Sequence, residues 1–128
     1  MASLQRTNTK ALTKTAKGPS ETQIQAAILE YLHLRKIMAW RCQAIAAPIR
    51  RGNTIVGLRR ANPETIGIPD ILGVIRGRLF AIEVKTSVGR PSPAQLEWKE
   101  KLERNGALWT IARSVDEAIA FIDKNFKV

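Results

Sequence analysis

Cysteine and histidine are nearly absent from this sequence, and it has no long apolar run. Among 128 residues there is one cysteine, Cys42, and one histidine, His33, which excludes an internal disulfide framework and a zinc site built from these residue types. No apolar run approaches the ~18 residues of a membrane-spanning helix, and the N-terminal residues lack the apolar core of a secretory signal. We therefore expect a soluble, cytoplasmic protein of a reducing compartment.

Acidic residues are missing from two long stretches. The chain has 21 Lys and Arg residues against 11 Asp and Glu residues, for a formal net charge of +10. Residues 1–19 contain four basic residues, no acid and little to bury, which is typical of a basic flexible arm. The stretch from Tyr31 to Pro63 has seven more basic residues and again no acid. A polyanion is the expected partner, although a basic surface that only confers solubility would have the same composition.

The remaining residues, 20–128, have the length of a single domain. A first helix is predicted from about Ser20 to Lys36, because Ser20 and Gln23 form a capping box before apolar residues at helical spacing. The predicted elements that follow are a strand within 37–47, a hairpin or flexible loop over 48–67, two strands within 67–85, a helix from Ser92 to Gly106, a strand over 107–113, and a closing helix over 114–126 with a capping box of Ser114 and Glu117. This order predicts an α/β fold with a mixed sheet flanked by helices.

Two acids interrupt the apolar stretch "GIPDILGVIRGRLFAIEVK", residues 67–85. If its "RG" dipeptide is a two-residue turn, Asp70 lies directly opposite Glu83, and Lys85 shares their face of the hairpin. Two carboxylates in this position repel unless one is protonated, a lysine forms an ion pair, or a hard divalent cation lies between them. Because the chain offers no cluster of soft ligands, we favour Mg²⁺ or Mn²⁺.

The segment "GIPD", followed thirteen residues after Asp70 by "EVK", resembles the PD-(D/E)XK nuclease superfamily. With Glu21 near the start of the first helix and "RPSPAQ" after the lysine, the pattern is most similar to the VRR-NUC branch, over residues 20–122. The resemblance implies a restriction-endonuclease-like core and a Mg²⁺- or Mn²⁺-dependent endodeoxyribonuclease. Stand-alone proteins of this kind occur in bacteria and phages and are associated with branched DNA such as Holliday junctions. A homodimer would place two active sites for paired cuts in a four-way junction.

The resemblance also implies roles for individual residues. The implied metal-binding or catalytic residues are Asp70, Glu83, Lys85, Glu21, Gln95 and, through its backbone carbonyl, Val84. Lys85 would orient or activate the attacking water and stabilise charge in the transition state. Glu21 and Gln95 each have an ordinary alternative role, because an acid in a first helical turn stabilises the helix dipole and Gln95 completes a capping box with Ser92.

Several arginines are candidate contacts to DNA phosphate. They are Arg50, Arg51, Arg59 and Arg60 in the predicted loop and Arg90 beside the "PSPAQ" helix start. Two other classes of function remain open. One is a DNA-binding or assembly module that retains a nuclease fold without its chemistry. The other is a small basic RNA-binding protein, which would leave the placement of Asp70 opposite Glu83 unexplained.

Overall fold

The computed structural model describes residues 18–42, 47–59 and 63–127. Within these ranges the helices are α1 (Glu21–Leu34), α2 (Pro93–Arg104) and α3 (Val115–Phe126), and the strands are β1 (Met38–Arg41), β2 (Ala47–Arg51), β3 (Thr54–Arg59), β4 (Ile71–Ile75), β5 (Arg78–Val84) and β6 (Leu108–Ala112), with a 3-10 turn at Pro63–Thr65. The predicted α/β fold with a mixed sheet flanked by helices is confirmed. The N-terminal arm, residues 1–19, falls almost wholly outside the described residues and stays a prediction.

The main sheet has four strands in the order β1-β4-β5-β6. Strand β4 runs antiparallel to both β1 and β5, whereas β6 is parallel to β5. Helix α2 lies between β5 and β6 along the chain and makes the crossover that a parallel pair requires. The predicted crossover is therefore present, and it places the start of α2 after the end of β5.

The hydrophobic core lies between the sheet and the two outer helices. Helices α1 and α3 bury one face each against the sheet, and Phe80 of β5 packs edge-on against Phe121 and Phe126 of α3. The fully buried apolar side chains include Ile28 and Leu32 of α1. Helix α2, by contrast, has no fully buried residue. Among the described residues, no helix has the length and apolar composition to cross a membrane.

The helix starts follow the predicted capping pattern in two cases of three. At α1, Ser20 and Gln23 exchange both capping hydrogen bonds, at 2.9 and 3.2 Å. At α3 the backbone N–H of Glu117 donates to the Ser114 hydroxyl, but the Glu117 carboxylate accepts from the backbone N–H of Arg113 instead of Ser114. The full capping box predicted there is wrong, because a neighbouring backbone donor binds the carboxylate.

The predicted hairpin or flexible loop is a hairpin. Strands β2 and β3 form a separate two-stranded antiparallel sheet with a register shift between Ile49 and Arg50. The strand predicted over residues 37–47 is shorter than expected, since β1 ends at Arg41 and β2 already begins at Ala47. Residues 43–46, between these two strands, lie outside the described part of the chain.

Candidate active site

The β4–β5 hairpin has the register that the sequence predicted. Its outermost pairs are Ile75 with Arg78 and Ile71 with Ile82. Both residues of the "RG" turn have positive φ. This is the geometry of a type I′ turn, which is common in hairpins with two-residue loops. One further step along the register places Asp70 opposite Glu83, on the same face of the sheet.

The backbone of Val84 faces Asp70. Its N–H donates to Asp70 Oδ2 at 2.8 Å. A residue in an extended strand directs its N–H and its C=O to the same side, so the Val84 carbonyl also faces Asp70. The next N–H, that of Lys85, donates to the Ala112 carbonyl of β6 on the opposite side, at 3.2 Å. Two carboxylates and one backbone carbonyl therefore meet at the end of β5.

Glu83 is the only charged residue that is buried in the described chain, with 1% of its surface exposed. Its Oε1 accepts a hydrogen bond from Gln95 Nε2 at 2.8 Å, whereas its Oε2 is buried with no hydrogen-bond donor. Burial, and then the hydrogen bond and charge of Asp70, raise the pKa of Glu83 to about 9; Lys85 lowers this pKa and Glu21 adds to the increase. Without a cation, this carboxyl group holds a proton at neutral pH.

Gln95 caps helix α2 and also contacts Glu83, and its catalytic role stays a prediction. Its Oε1 accepts from the Ser92 backbone N–H at 2.8 Å and its own N–H donates to the Ser92 hydroxyl, which completes the capping box of α2. Because the Ser92 N–H can only donate, it fixes which end of the amide is oxygen. The Nε2 end is left to donate to Glu83, so the start of α2 also orients the buried acid.

Lys85 directly follows β5 and is half-buried, and Gly89 of the next loop lies close to its aliphatic stem. A Cβ atom added to Gly89 would lie 3.3 Å from Lys85 Cδ. The guanidinium of Arg113 holds this loop, since its Nη1 donates to the carbonyls of Thr86 and Gly89. Sequence reasoning missed Arg113, because nothing in the local sequence links it to a loop 24 residues away.

Glu21 is exposed in the first turn of α1. Its charge contributes to the raised pKa of Glu83, so the two carboxyl groups are electrostatically coupled. In the described chain, no three His, Cys, Asp or Glu side chains are arranged to hold a metal ion together. The acidic pair is therefore Asp70 and Glu83, and the ligand role of Glu21 stays a prediction.

Close packing fixes the segment before Asp70 on helix α2. Gly67 has φ +83°, and a Cβ atom at this position would lie 2.5 Å from the Ala94 carbonyl carbon. Trp98, on the next turn of α2, donates from Nε1 to the Ile66 carbonyl at 2.9 Å. The glycine of "GIPD" is thus a contact point between the Asp70 segment and the helix that carries Gln95. This contact was also missed, since "GIPD" was considered only for its acid.

Three of the five candidate DNA-binding arginines have described side chains. Arg50 and Arg51 are exposed on β2, and Arg90 is exposed on an open groove of about 700 Å³ that Val88, Leu96 and Arg113 also line. The side chain of Arg59 and the whole of Arg60 lie outside the described residues. The phosphate contacts proposed for all five arginines stay predictions.

Solved structures that share this fold include two VRR_NUC domains. One, named "VRR_NUC domain", is 18% identical in sequence and covers 83% of this chain and 96% of its own, with a TM-score of 0.55. The other, named "VRR_NUC domain protein", is 21% identical and covers 86% of this chain and 90% of its own, also with a TM-score of 0.55. No protein-family model and no curated protein matches the sequence.

The mixed sheet and its flanking helices define an α/β domain. Within that class, the chain has the VRR-NUC nuclease-like fold. The resemblance inferred from "GIPD" and "EVK" is confirmed at the level of the fold.

Proposed function

We propose that this protein is a Mg²⁺- or Mn²⁺-dependent endodeoxyribonuclease that hydrolyses phosphodiester bonds beside Asp70 and Glu83. The observation that carries the proposal is the buried carboxylate of Glu83, whose Oε2 has no hydrogen-bond donor although it lies beside a second acid. Without an ion this group takes up a proton, because an ionised carboxylate buried here would be an uncompensated charge; a bound cation would stabilise the ionised form. The candidate metal-ligand atoms at this site are all oxygens, which suits a hard divalent ion.

The ion would be held by Asp70, by Glu83 Oε2 and by the Val84 carbonyl. Asp70 Oδ2 accepts the Val84 N–H, and the carboxylate has further lone pairs with which it would bind the ion. Glu21 would complete the site from α1. A bound ion of this type lowers the pKa of a water molecule and polarises a phosphodiester, so that neither a histidine nor a covalent intermediate is needed.

The protein's own groups would orient the reactants. Lys85, held against Gly89 at the end of β5, directs its ammonium group to the attacking water and to the charge that develops on the phosphate. Gln95 holds Glu83 in place through Nε2. These residues supply positioning and charge stabilisation, the main contributions that a phosphoryl-transfer site requires.

Cleavage of end-labelled DNA tests this proposal. Single-stranded, duplex, flapped and four-way-junction substrates are incubated with Mg²⁺, with Mn²⁺ or with EDTA, using wild type, Asp70→Ala and Lys85→Ala. We expect cutting that needs the ion and both residues, with Lys85→Ala lowering turnover by orders of magnitude while DNA binding persists. Tight binding without cutting by wild type on every substrate would instead identify an inactive DNA-binding module on a nuclease fold.

A selective action on branched DNA, such as a Holliday junction, favours a homodimer, because two symmetric cuts need two sites at a fixed separation. Strand β1 offers a surface for it, since β1 is a sheet edge and its Met38 and Trp40 side chains are exposed. The Ala39 carbonyl on this strand already accepts from His33 Nε2, so the contact would use side chains and not strand pairing. Light scattering behind size exclusion is expected to show a dimer that Trp40→Glu dissociates; a wild-type monomer would contradict the proposal.

A further inference from the structure

The β2–β3 hairpin extends from the domain with apolar side chains exposed. None of its residues belongs to the hydrophobic core, and its strands pack mainly on each other in the described chain. Its exposed apolar side chains are Ile49, Ile55, Val56 and Leu58, the last with 68% of its surface exposed. An isolated two-stranded hairpin is at best marginally stable in water, so these side chains point to a binding partner.

The charge of the hairpin favours one kind of partner. Residues 47–59 include three arginines and no acid, and Arg50 lies directly opposite Ile55 in the register. Arginine and apolar side chains are therefore interleaved on a single ribbon. A second copy of the hairpin would bring like charges together, which is unfavourable. A nucleic acid provides both phosphates for the arginines and base faces for the apolar side chains.

Both ends of the hairpin lead to the candidate active site. Cys42, at the end of β1, donates its N–H to the Asp70 carbonyl at 2.8 Å. After β3, the chain continues to the 3-10 turn at Pro63–Thr65 and then to Gly67, which packs on α2. Gly52, at the tip, follows Cys42 by ten residues, so extended chain spans at most about 33 Å. That distance is about ten base pairs of duplex.

We propose that the β2–β3 hairpin inserts its apolar side chains against bases exposed at a DNA branch point, while its arginines bind the flanking phosphates. The inference rests on the proposed DNA-cleaving function and identifies the element that selects the substrate. In continuous duplex each base is stacked on both faces, so an apolar side chain must first separate a base step. The cost of that separation is least where pairing is already interrupted. Apolar contacts therefore select a branch, whereas arginine contacts to phosphate do not.

Fluorescence anisotropy in EDTA tests the hairpin without any cutting. The probes are a duplex and a four-way junction with the same arm sequences. The apolar variant is Ile55→Thr with Leu58→Thr, which places β-branched residues of high strand propensity at both positions. The arginine variant is Arg50→Ala with Arg51→Ala. Leu34→Thr, which changes a 77% exposed leucine at the end of α1, is the matched control.

We expect the apolar variant to reduce the junction-to-duplex affinity ratio by about tenfold, because apolar area that is buried only against the exposed bases is lost, with duplex affinity unchanged. The arginine variant is expected to weaken both complexes alike and to lower the salt slope by about two, and Leu34→Thr is expected to have no effect. Circular dichroism and the thermal midpoint verify folding, which should persist because the hairpin lies outside the core.

Three results would overturn the inference. One is an unchanged affinity ratio in the apolar variant, and another is a wild type that does not distinguish the junction from duplex. The third is a change of oligomeric state in the apolar variant, measured by light scattering, which would make the hairpin an interface between copies. If the apolar variant loses its preference for the junction but wild type never cuts DNA, the nuclease proposal is refuted and the hairpin assignment stands. If wild type cuts DNA but the apolar variant keeps its junction-to-duplex affinity ratio, the hairpin assignment is refuted and the nuclease proposal stands.

Discussion

Glu83 combines three features that rarely occur in one side chain. It is 1% exposed, it lies beside a second carboxyl group, and one of its oxygens has no donor. Its placement opposite Asp70 could be predicted from the sequence because a two-residue turn fixes the register of every later pair. The sequence could not show whether Gln95 caps α2 or contacts Glu83, because a single side-chain amide makes both contacts.

The raised pKa of Glu83 predicts how stability changes with pH in the absence of divalent ions. The carboxyl pKa is about 9 in the folded protein against 4.5 as its ordinary value. Between these values the folded state binds more protons than the unfolded state, so the free energy of unfolding falls as pH rises. Urea denaturation in EDTA from pH 5 to 9 should show that the free energy of unfolding falls less steeply with pH for Glu83→Gln than for wild type. Parallel profiles would show that Glu83 is ionised across this range.

Gln95 and Ser92 separate helix capping from support of the acid. Ser92→Ala removes the cap alone and should lower the free energy of unfolding by about 1 kcal/mol. Gln95→Ala also leaves Glu83 Oε1 without a donor, and loss of such a supporting contact weakens metal binding by about 10- to 100-fold. Denaturation and Mn²⁺ calorimetry on both variants provide the comparison. Equal Mn²⁺ affinities would restrict Gln95 to a capping role.

At the scale of elements, the site depends on a close approach between the Asp70 segment and helix α2. Gly67→Ala would strain a positive φ and overlap Ala94, which together should cost about 2–5 kcal/mol and weaken metal binding. Gly77→Ala is the matched control, because Gly77 has φ +80° with open space around it, and only the strain of about 1–2 kcal/mol is expected. Urea denaturation measures both. Equal losses would show that the contact with Ala94 is easily relieved.

Elements with strong local signals were predictable, and contacts between distant segments were not. The capping boxes at Ser20 and Ser92 and the "RG" turn each act within a few residues, so sequence alone placed them. Contacts that join distant segments, such as Arg113 with the loop after Lys85, depend on tertiary packing. The full capping box predicted at Ser114 was wrong because the backbone N–H of Arg113, and not that of Ser114, donates to the Glu117 carboxylate.

At the scale of the whole molecule, the excess of positive charge is expected to set the strength of DNA binding more than its selectivity. Deleting residues 1–19 removes four of the 21 basic residues. DNA affinity should fall, and the slope of log affinity against log salt should decrease by up to about four, while cleavage persists. Titrations at several salt concentrations measure the slope. An unchanged slope would show that these residues do not contact DNA.

The central claim is that Asp70 and Glu83 hold a divalent ion, and calorimetric titration with Mn²⁺ tests it most directly. The titration is run at pH 8 on wild type, Asp70→Ala and Lys85→Ala. We expect binding by wild type, its loss in Asp70→Ala and its retention in Lys85→Ala, because only the carboxylate contributes a ligand. No binding by wild type at millimolar Mn²⁺, or equal binding by Asp70→Ala, would contradict the account.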